Sequence, residues 1–221
     1  MRRSPPGPEP AVVFDCDGVL LDSEAAWTRA ETRLFSRYGK TYGAEAKRLL
    51  IGGSLPETGR ALEGLLDRRR SANALITELV ALAAEEFAGR LDPMPGALDL
   101  IAELRGRRPL AVASNSHRQL VELALGGSGI GDAFDAVVAS DEVPRPKPAP
   151  DLYLEACRRL GASPEATVAV EDSPRGAAAA RAAGLFVIGI PYLPDLPVEA
   201  DVTARSLEDP AVRAALGLPP T

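Results

Sequence analysis

The sequence predicts an α/β fold, a doubly wound parallel β-sheet with an all-helical cap inserted into it. Two observations support this prediction. Short, uninterrupted apolar runs, expected of strands buried on both faces of a sheet, alternate with helical stretches over most of the chain. Residues 25–91 instead have helical periodicity and turn signals but no such run. We therefore expect residues 11–24 and 93–221 to form an α/β core, and residues 25–92 to form a helical cap.

The predicted elements of the core follow one another as strand, helix, strand. Each predicted strand is a short, mainly apolar run, and the runs are 11–14, 110–113, 136–139, 167–170 and 185–190. The predicted helices between them are 98–105, 118–125, 151–160 and 175–183. The last helix is rich in alanine and is followed by Gly184, a residue type that commonly terminates helices.

Composition places the chain among ordinary globular proteins. It has 221 residues, 46% of them hydrophobic, and a net charge of -6, so we expect no nucleic-acid partner. No apolar run approaches membrane-spanning length, and we expect no membrane partner. Residues 1–10 are polar and proline-rich and predict a disordered leader. Cys16 and Cys157 have no metal or redox spacing, which favours a reducing, cytoplasmic location.

Polar residues follow four of the predicted strands. In a parallel sheet such residues emerge at the same edge, where ligands bind. They are Asp15 and Asp17 after the first strand, Ser114 and Asn115 after the second, Lys147 beyond the third, and Glu171 and Asp172 after the fourth. The sequence therefore predicts one acidic site of a size suited to phosphate.

The acidic residues of this predicted site favour a magnesium ion. Asp15 and Asp17 leave the strand two residues apart, so their carboxylates repel unless a cation lies between them. Glu171 and Asp172 complete a set of hard oxygen ligands without histidine or cysteine, which is typical of Mg²⁺ sites. Such an ion would neutralise carboxylate and phosphate together, so that one anion can attack the other.

The other polar residues suit a phosphoryl group. Lys147 offers a fixed positive charge, while the Ser114 hydroxyl and the Asn115 amide can donate hydrogen bonds where a helix begins. Each motif alone has an ordinary structural explanation, as a turn, a helix cap or a loop lysine. Their occurrence at successive strand ends favours a shared active site.

These motifs resemble the haloacid dehalogenase superfamily of phosphotransferases, whose four motifs occur here in order. Residues 15–23 are close to the family's DxDGVLxDS form, and residues 114–116 are similar to its second motif. Lys147 stands at the third, and residues 171–176 at the fourth. The resemblance covers the chain after the leader, and a helical insert between the first two motifs is similar to the subfamily with a helical cap.

The resemblance implies a role for each acidic residue. Asp15 would be the nucleophile, and Asp17 the general acid and base. Mg²⁺ would be held by Asp15, by the backbone carbonyl of Asp17 and by Asp172, with Glu171 either as a ligand or as a residue that orients the ligands. Because dehalogenases of the superfamily lack the second aspartate, Asp17 favours a phosphatase.

The resemblance also implies a small phosphorylated metabolite as substrate, whose phosphoryl group Ser114 and Lys147 would bind. Near relatives include β-phosphoglucomutase and sugar-phosphate phosphatases. Mutases have a histidine where this chain has Trp27 and an arginine where it has Leu55, so both departures disfavour a mutase. Residues 22–31 are instead similar to phosphatases of hexose and hexitol phosphates.

Several residues have two possible roles. Gly52, Gly53 and Ser54 would contact the organic part of the substrate, or form a plain turn between helices. Trp27 would line the cavity or pack in the core, and His117 is expected to be a bystander.

Two alternatives to a phosphatase remain at this point. One is a phosphomutase, and the other is a non-enzymatic phospho-acceptor such as a receiver domain. The large insert and the aspartate directly after the first strand disfavour a receiver. We expect a monomer or weak dimer.

Overall fold

The computed structural model shows a six-stranded, fully parallel β-sheet flanked by helices, which confirms the predicted α/β fold. The structure describes residues 4–7, 9–51, 53–89, 91–192 and 196–220, so part of the predicted leader lies outside it. The strands are β1 (Ala11–Phe14), β2 (Leu110–Ala113), β3 (Ala136–Val138), β4 (Thr167–Glu171), β5 (Phe186–Gly189) and β6 (Val202–Thr203). Their order across the sheet is β3-β2-β1-β4-β5-β6.

Strand β1 lies at the centre of the sheet. It pairs with β2 on one side and β4 on the other, and Val12, Val13 and Phe14 are completely buried. Each such side chain contributes about 1.5–3 kcal/mol through its removal from water. The uninterrupted apolar run is therefore explained by helices on both faces, and the chain leaves β1 in the middle of the sheet's carboxyl edge.

The sheet differs from the sequence prediction at several strand ends and by one additional strand: β3 ends at Val138 rather than at residue 139, and β5 covers 186–189 rather than 185–190. Glu171 is the last residue of β4 rather than the first residue after it, because it pairs in register with Gly189 of β5. The short strand β6 was not predicted, since two residues are too few to show a pattern.

Four helices occupy the interval in which the sequence predicts a cap. They are α1 (Glu24–Arg37), α2 (Ala44–Leu50), α3 (Leu55–Leu65) and α4 (Ala72–Phe87). The rings of Trp27 on α1 and Phe87 on α4 meet edge to face, with their centroids 5.4 Å apart. A capping box between Ser54 and Glu57 fixes the start of α3. The division of the chain into core and cap stays a prediction.

The remaining helices pack around the sheet. They are α5 (Ala97–Leu104), α6 (Arg118–Ser128), α7 (Asp151–Leu160), α8 (Pro174–Ala183) and α9 (Pro210–Ala215). Four of the five follow the predicted intervals, whereas the short α9 was not predicted. Across the part of the chain that the structure describes, every helix is too short or too polar to cross a lipid bilayer.

Candidate active site

The loops at the carboxyl edge of the sheet bring the predicted site residues together. Lys147 Nζ lies 3.0 Å from Asp15 Oδ1 and 2.6 Å from Glu171 Oε1. Carboxylate oxygens of Asp15, Glu171 and Asp172 lie within 4.8 Å of one another. Residues far apart in the sequence therefore form one cluster of three acids, two of them buried and in contact with the Lys147 ammonium group.

The carboxylate of Asp17 lies beside this cluster and faces hydrogen-bond donors. Oδ2 accepts from Ser116 Oγ at 2.9 Å and from Ser114 Oγ at 3.3 Å. Oδ1 accepts from the Ser23 hydroxyl and, at 3.4 Å, from Nε1 of Trp27. Hydroxyl donors on one side and an indole on the other fix the orientation of the Asp17 carboxylate beside the cluster.

The loop after β2 supports Lys147 through its backbone. Asn115 Oδ1 accepts from the Lys147 amide at 2.8 Å, and Asn115 Nδ2 donates to the Lys147 carbonyl at 3.3 Å. Ser114 is fully buried and accepts from the Ser116 amide at 3.0 Å. These contacts hold the loops after β2 and β3 in a fixed relation, which places the lysine.

Glu171 is saturated with hydrogen-bond donors. Its Oε1 accepts from Lys147 and, at 2.6 Å, from the hydroxyl of the fully buried Tyr153. Its Oε2 accepts from Ser173 Oγ at 3.1 Å. Glu171 is completely buried, whereas Asp15 and Asp172 line the cavity described below. The geometry thus favours Glu171 as a residue that orients Lys147. Tyr153 gave no signal in the sequence.

The cluster carries more negative charge than its lysine neutralises. Burial raises the pKa of Asp15 to about 8, with Glu171 and Asp17 acting in the same direction and Lys147 opposing them. Burial, together with the charges of Asp15 and Glu171, also raises the pKa of Asp172 well above its usual range. Burial alone would lower the pKa of Lys147, but the two neighbouring carboxylates raise it. A divalent cation between Asp15 and Asp172 fits this donor set, since both offer hard oxygens that lack a second positive partner.

Two glycines allow the backbone to approach the acids. Gly18 has φ 75°, and a Cβ there would lie 2.4 Å from Asp172 Oδ2. A Cβ at Gly176, in the first turn of α8, would lie 1.8 Å from Glu171 Oε1. The fit of the carboxylates therefore depends on the absence of side chains at both positions.

A cavity of about 300 Å³ opens above the cluster. The sheet contributes part of its lining, including Asp15, Asp17, Asn115, Ser116, Lys147 and Asp172. The helical segment contributes the rest, including Glu24, Trp27, Glu31, Tyr42, Lys47, Gly53 and Leu55. The volume lies near the lower end of the range for small-molecule pockets, about 300–1,000 Å³.

The other predicted positions have separate roles. Trp27 both lines the cavity and packs on Phe87. The Ser54 hydroxyl donates to Glu57 within its own helix, and Gly52 lies outside the described residues. His117 pairs with Asp141, Nε2 to Oδ2, at 3.3 Å.

One further contact joins the helical segment to the core. Arg175, at the start of α8, forms an ion pair with Glu57 of α3. Nothing in the sequence indicated this pair.

Replacing Glu31 with glutamine is expected to change how stability depends on pH. Burial raises the pKa of Glu31 from 4.5 to about 7, so the folded protein binds more protons than the unfolded chain between these values. The wild type therefore loses stability as pH rises through this window, by roughly 3 kcal/mol. Urea unfolding should show that the free energy of unfolding of Glu31→Gln, minus that of the wild type, increases between pH 4.5 and pH 7. The control Glu85→Gln removes a carboxylate that is 60% exposed and should show no such trend.

Comparison with known proteins identifies relatives over most of the chain. The family model described as haloacid dehalogenase-like hydrolase matches residues 10–184. Fructose-1-phosphate phosphatase YqaB of Escherichia coli (strain K12) is 33% identical over 182 residues, 82% of this chain and 96% of that protein. Validoxylamine A 7'-phosphate phosphatase of Streptomyces hygroscopicus subsp. limoneus is 33% identical over 205 residues, 89% of this chain and 93% of that protein.

A solved structure is similar over almost its whole length. It is a mutant of CbbY from Rhodobacter sphaeroides in complex with xylulose-(1,5)bisphosphate. The TM-score is 0.78 at 30% identity, and the match covers 90% of this chain and 94% of that chain.

Proposed function

This chain belongs to the haloacid dehalogenase-like hydrolases, and on that premise we propose that it is a Mg²⁺-dependent phosphatase of small phosphate monoesters, sugar phosphates above all. The observation that carries the proposal is the convergence of Asp15, Asp172 and Lys147 beside a separately hydrogen-bonded Asp17. We assign the cation to Asp15, Asp172 and the backbone carbonyl of Asp17. Mg²⁺ bound there would neutralise charge on the phosphoryl oxygens and on the attacking carboxylate.

In the first half of the reaction, an oxygen of Asp15 attacks phosphorus, and the bond from phosphorus to the ester oxygen breaks. Asp17, in its protonated form, gives its proton to the departing oxygen, so that the alcohol leaves neutral. Lys147 and Ser114 bind the phosphoryl oxygens during this transfer.

In the second half, Asp17 takes a proton from a water molecule, which attacks the phosphorus of the aspartyl-phosphate. The bond to Asp15 breaks, and inorganic phosphate leaves. Helices α1 to α4 act as a cap, and we propose that the ion pair of Arg175 with Glu57 holds this cap closed over the site.

Removal of divalent metal tests the proposal directly. We expect EDTA treatment to lower phosphate release from glucose 6-phosphate at least about a hundredfold, because Asp15, Asp172 and the phosphoryl group together carry more negative charge than Lys147 alone can neutralise. Addition of Mg²⁺ should restore activity and also raise the thermal unfolding temperature, since the ion binds the folded state. Equal activity before and after complete metal removal would refute the assignment.

The phosphomutase alternative has less support. The two named curated relatives are phosphatases. Mutases have a histidine at the position of Trp27, whose indole here donates to Asp17. Assays of free phosphate against isomerised sugar separate the two activities. The monomer or weak dimer and the cytoplasmic location stay predictions.

A further inference from the structure

One face of helix α1 forms a polar wall of the cavity. Glu24, Trp27, Thr28 and Glu31 are spaced at i, i+3, i+4 and i+7, which places them on one side of a helix. Glu24, Trp27 and Glu31 line the cavity. We call the face made by these four residues the α1 stripe. None of the catalytic steps above uses its two carboxylates.

The acids of the α1 stripe keep hydrogen-bonding capacity for a ligand. Lys47 Nζ lies 3.7 Å from Glu24 Oε2 and 3.4 Å from Thr28 Oγ1. Glu31 is buried and is hydrogen-bonded by the Tyr42 hydroxyl. A carboxylate can accept about four hydrogen bonds. Burial raises the pKa of both glutamates to about 7, as expected of buried acids with too few donors.

The α1 stripe also starts beside the general acid. Trp27 Nε1 lies 3.4 Å from Asp17 Oδ1, so the stripe continues outward from the group that protonates the departing oxygen. Glu24 and Glu31 line the same cavity as Asp17, so a leaving group bound with that oxygen at Asp17 can contact both glutamates. Leu55 and Ile51 of the lining add apolar surface and no charge.

We propose that the α1 stripe, together with Lys47 and Tyr42, selects a neutral polyhydroxylated leaving group over one that carries a second anionic group. The inference rests on the proposed phosphatase function. Hydroxyl groups can donate to Glu24 and Glu31 and accept from Lys47, whereas a second phosphate or carboxylate faces two carboxylates and a single ammonium group.

The other cations of the lining do not cancel this bias. Lys147 is ion-paired with Asp15 and Glu171, and Arg175 with Glu57. Arg48 is exposed, so solvent screens its attraction for an anion.

The test compares kcat/KM for glucitol 6-phosphate, 2-phosphoglycolate and 4-nitrophenyl phosphate in the presence of Mg²⁺. Their leaving groups are a neutral polyol, a carboxylate and an aryl group without vicinal hydroxyls. We expect the wild type to prefer glucitol 6-phosphate over 2-phosphoglycolate by at least about tenfold.

Glu31→Gln and Glu24→Gln then identify the residues responsible. In each variant, the ratio of kcat/KM for glucitol 6-phosphate to that for 4-nitrophenyl phosphate should fall about tenfold. The preference against 2-phosphoglycolate should weaken in the same variants, which loss of packing alone would not cause. Glu45→Gln, in the first turn of α2 and exposed, is the matched control and should leave both ratios unchanged.

Two results would overturn the inference, and they are distinguishable. If the wild type releases phosphate from 4-nitrophenyl phosphate but both glutamine variants keep the wild-type ratios, the α1 stripe does not select the leaving group and the phosphatase stands. If the wild type releases phosphate from none of the three esters, the proposed function fails together with the inference. Circular dichroism spectra of each variant establish that it is folded.

Discussion

Asp15→Asn is expected to abolish phosphate release, lowering kcat by at least about four orders of magnitude. The amide cannot attack phosphorus, and two neighbouring acids are engaged elsewhere: Asp17 is held by hydroxyl donors, and Glu171 is saturated by Lys147 and Tyr153. The measurement is phosphate release under single-turnover and steady-state conditions, together with acid-quench trapping of labelled phosphate on the protein.

The Asp15→Asn variant should remain folded, so its loss of activity can be attributed to the missing nucleophile and not to unfolding. Asparagine can still accept the hydrogen bond that the Cys16 amide donates to Asp15 Oδ1 at 2.8 Å. It also removes a buried carboxylate whose pKa is raised to about 8, and so relieves repulsion. Asp22→Asn, an exposed change in the same loop, is the control and should retain activity. More than about 0.01 per cent of wild-type kcat in Asp15→Asn would contradict a covalent role.

Lys147→Met is expected to cause both a loss of activity and a large loss of stability. Lys147 is 3% exposed and contacts Asp15 and Glu171, so its removal leaves two buried carboxylates without their countercharge. Breaking one partner of a buried ion pair costs about 3–5 kcal/mol. Because protonation of Asp15, whose pKa burial raises to about 8, relieves part of this penalty, the loss should shrink as the pH falls. Urea unfolding at several pH values measures it.

A second variant keeps this prediction testable if Lys147→Met does not fold. The double variant Lys147→Met, Glu171→Gln lacks one of the two carboxylates that lose their countercharge. Tyr153 can still donate a hydrogen bond to the amide oxygen at position 171. Stability should recover in part, whereas activity should not, because the phosphoryl group still lacks the ammonium. Lys40→Met breaks an exposed ion pair with Asp67 and should cost less than about 1 kcal/mol. Similar losses in the Lys40 and Lys147 variants would refute the electrostatic explanation.

The core could be predicted from sequence because strands buried on both faces leave a simple pattern. Ala11–Phe14 and Leu110–Ala113 are runs in which every residue is apolar, and the structure has strands with the same limits. Two-residue β6 and short α9 leave no comparable pattern, since neither contains enough residues for a period to emerge.

The convergence of the polar residues was predictable for a related reason. Polar residues that directly follow buried strands can only lie at one edge of the sheet, which is where Asp15, Asp172 and Lys147 meet. The partners of these residues were not predictable. Tyr153 reaches Glu171 from the buried side of α7, and Arg175 meets Glu57 across 118 positions of the sequence. Contacts of this kind depend on how helices are placed in three dimensions.

Gly18 and Gly176 set a limit on how this site can be redesigned. At each of them, a hydrogen atom is the largest group that fits against a carboxylate, since even a methyl carbon would lie 2.4 Å or 1.8 Å from an oxygen. A mutant library designed to find activity on new esters should therefore leave positions 18 and 176 unchanged. It should vary the cavity residues that the helical segment contributes, such as Trp27 and Leu55.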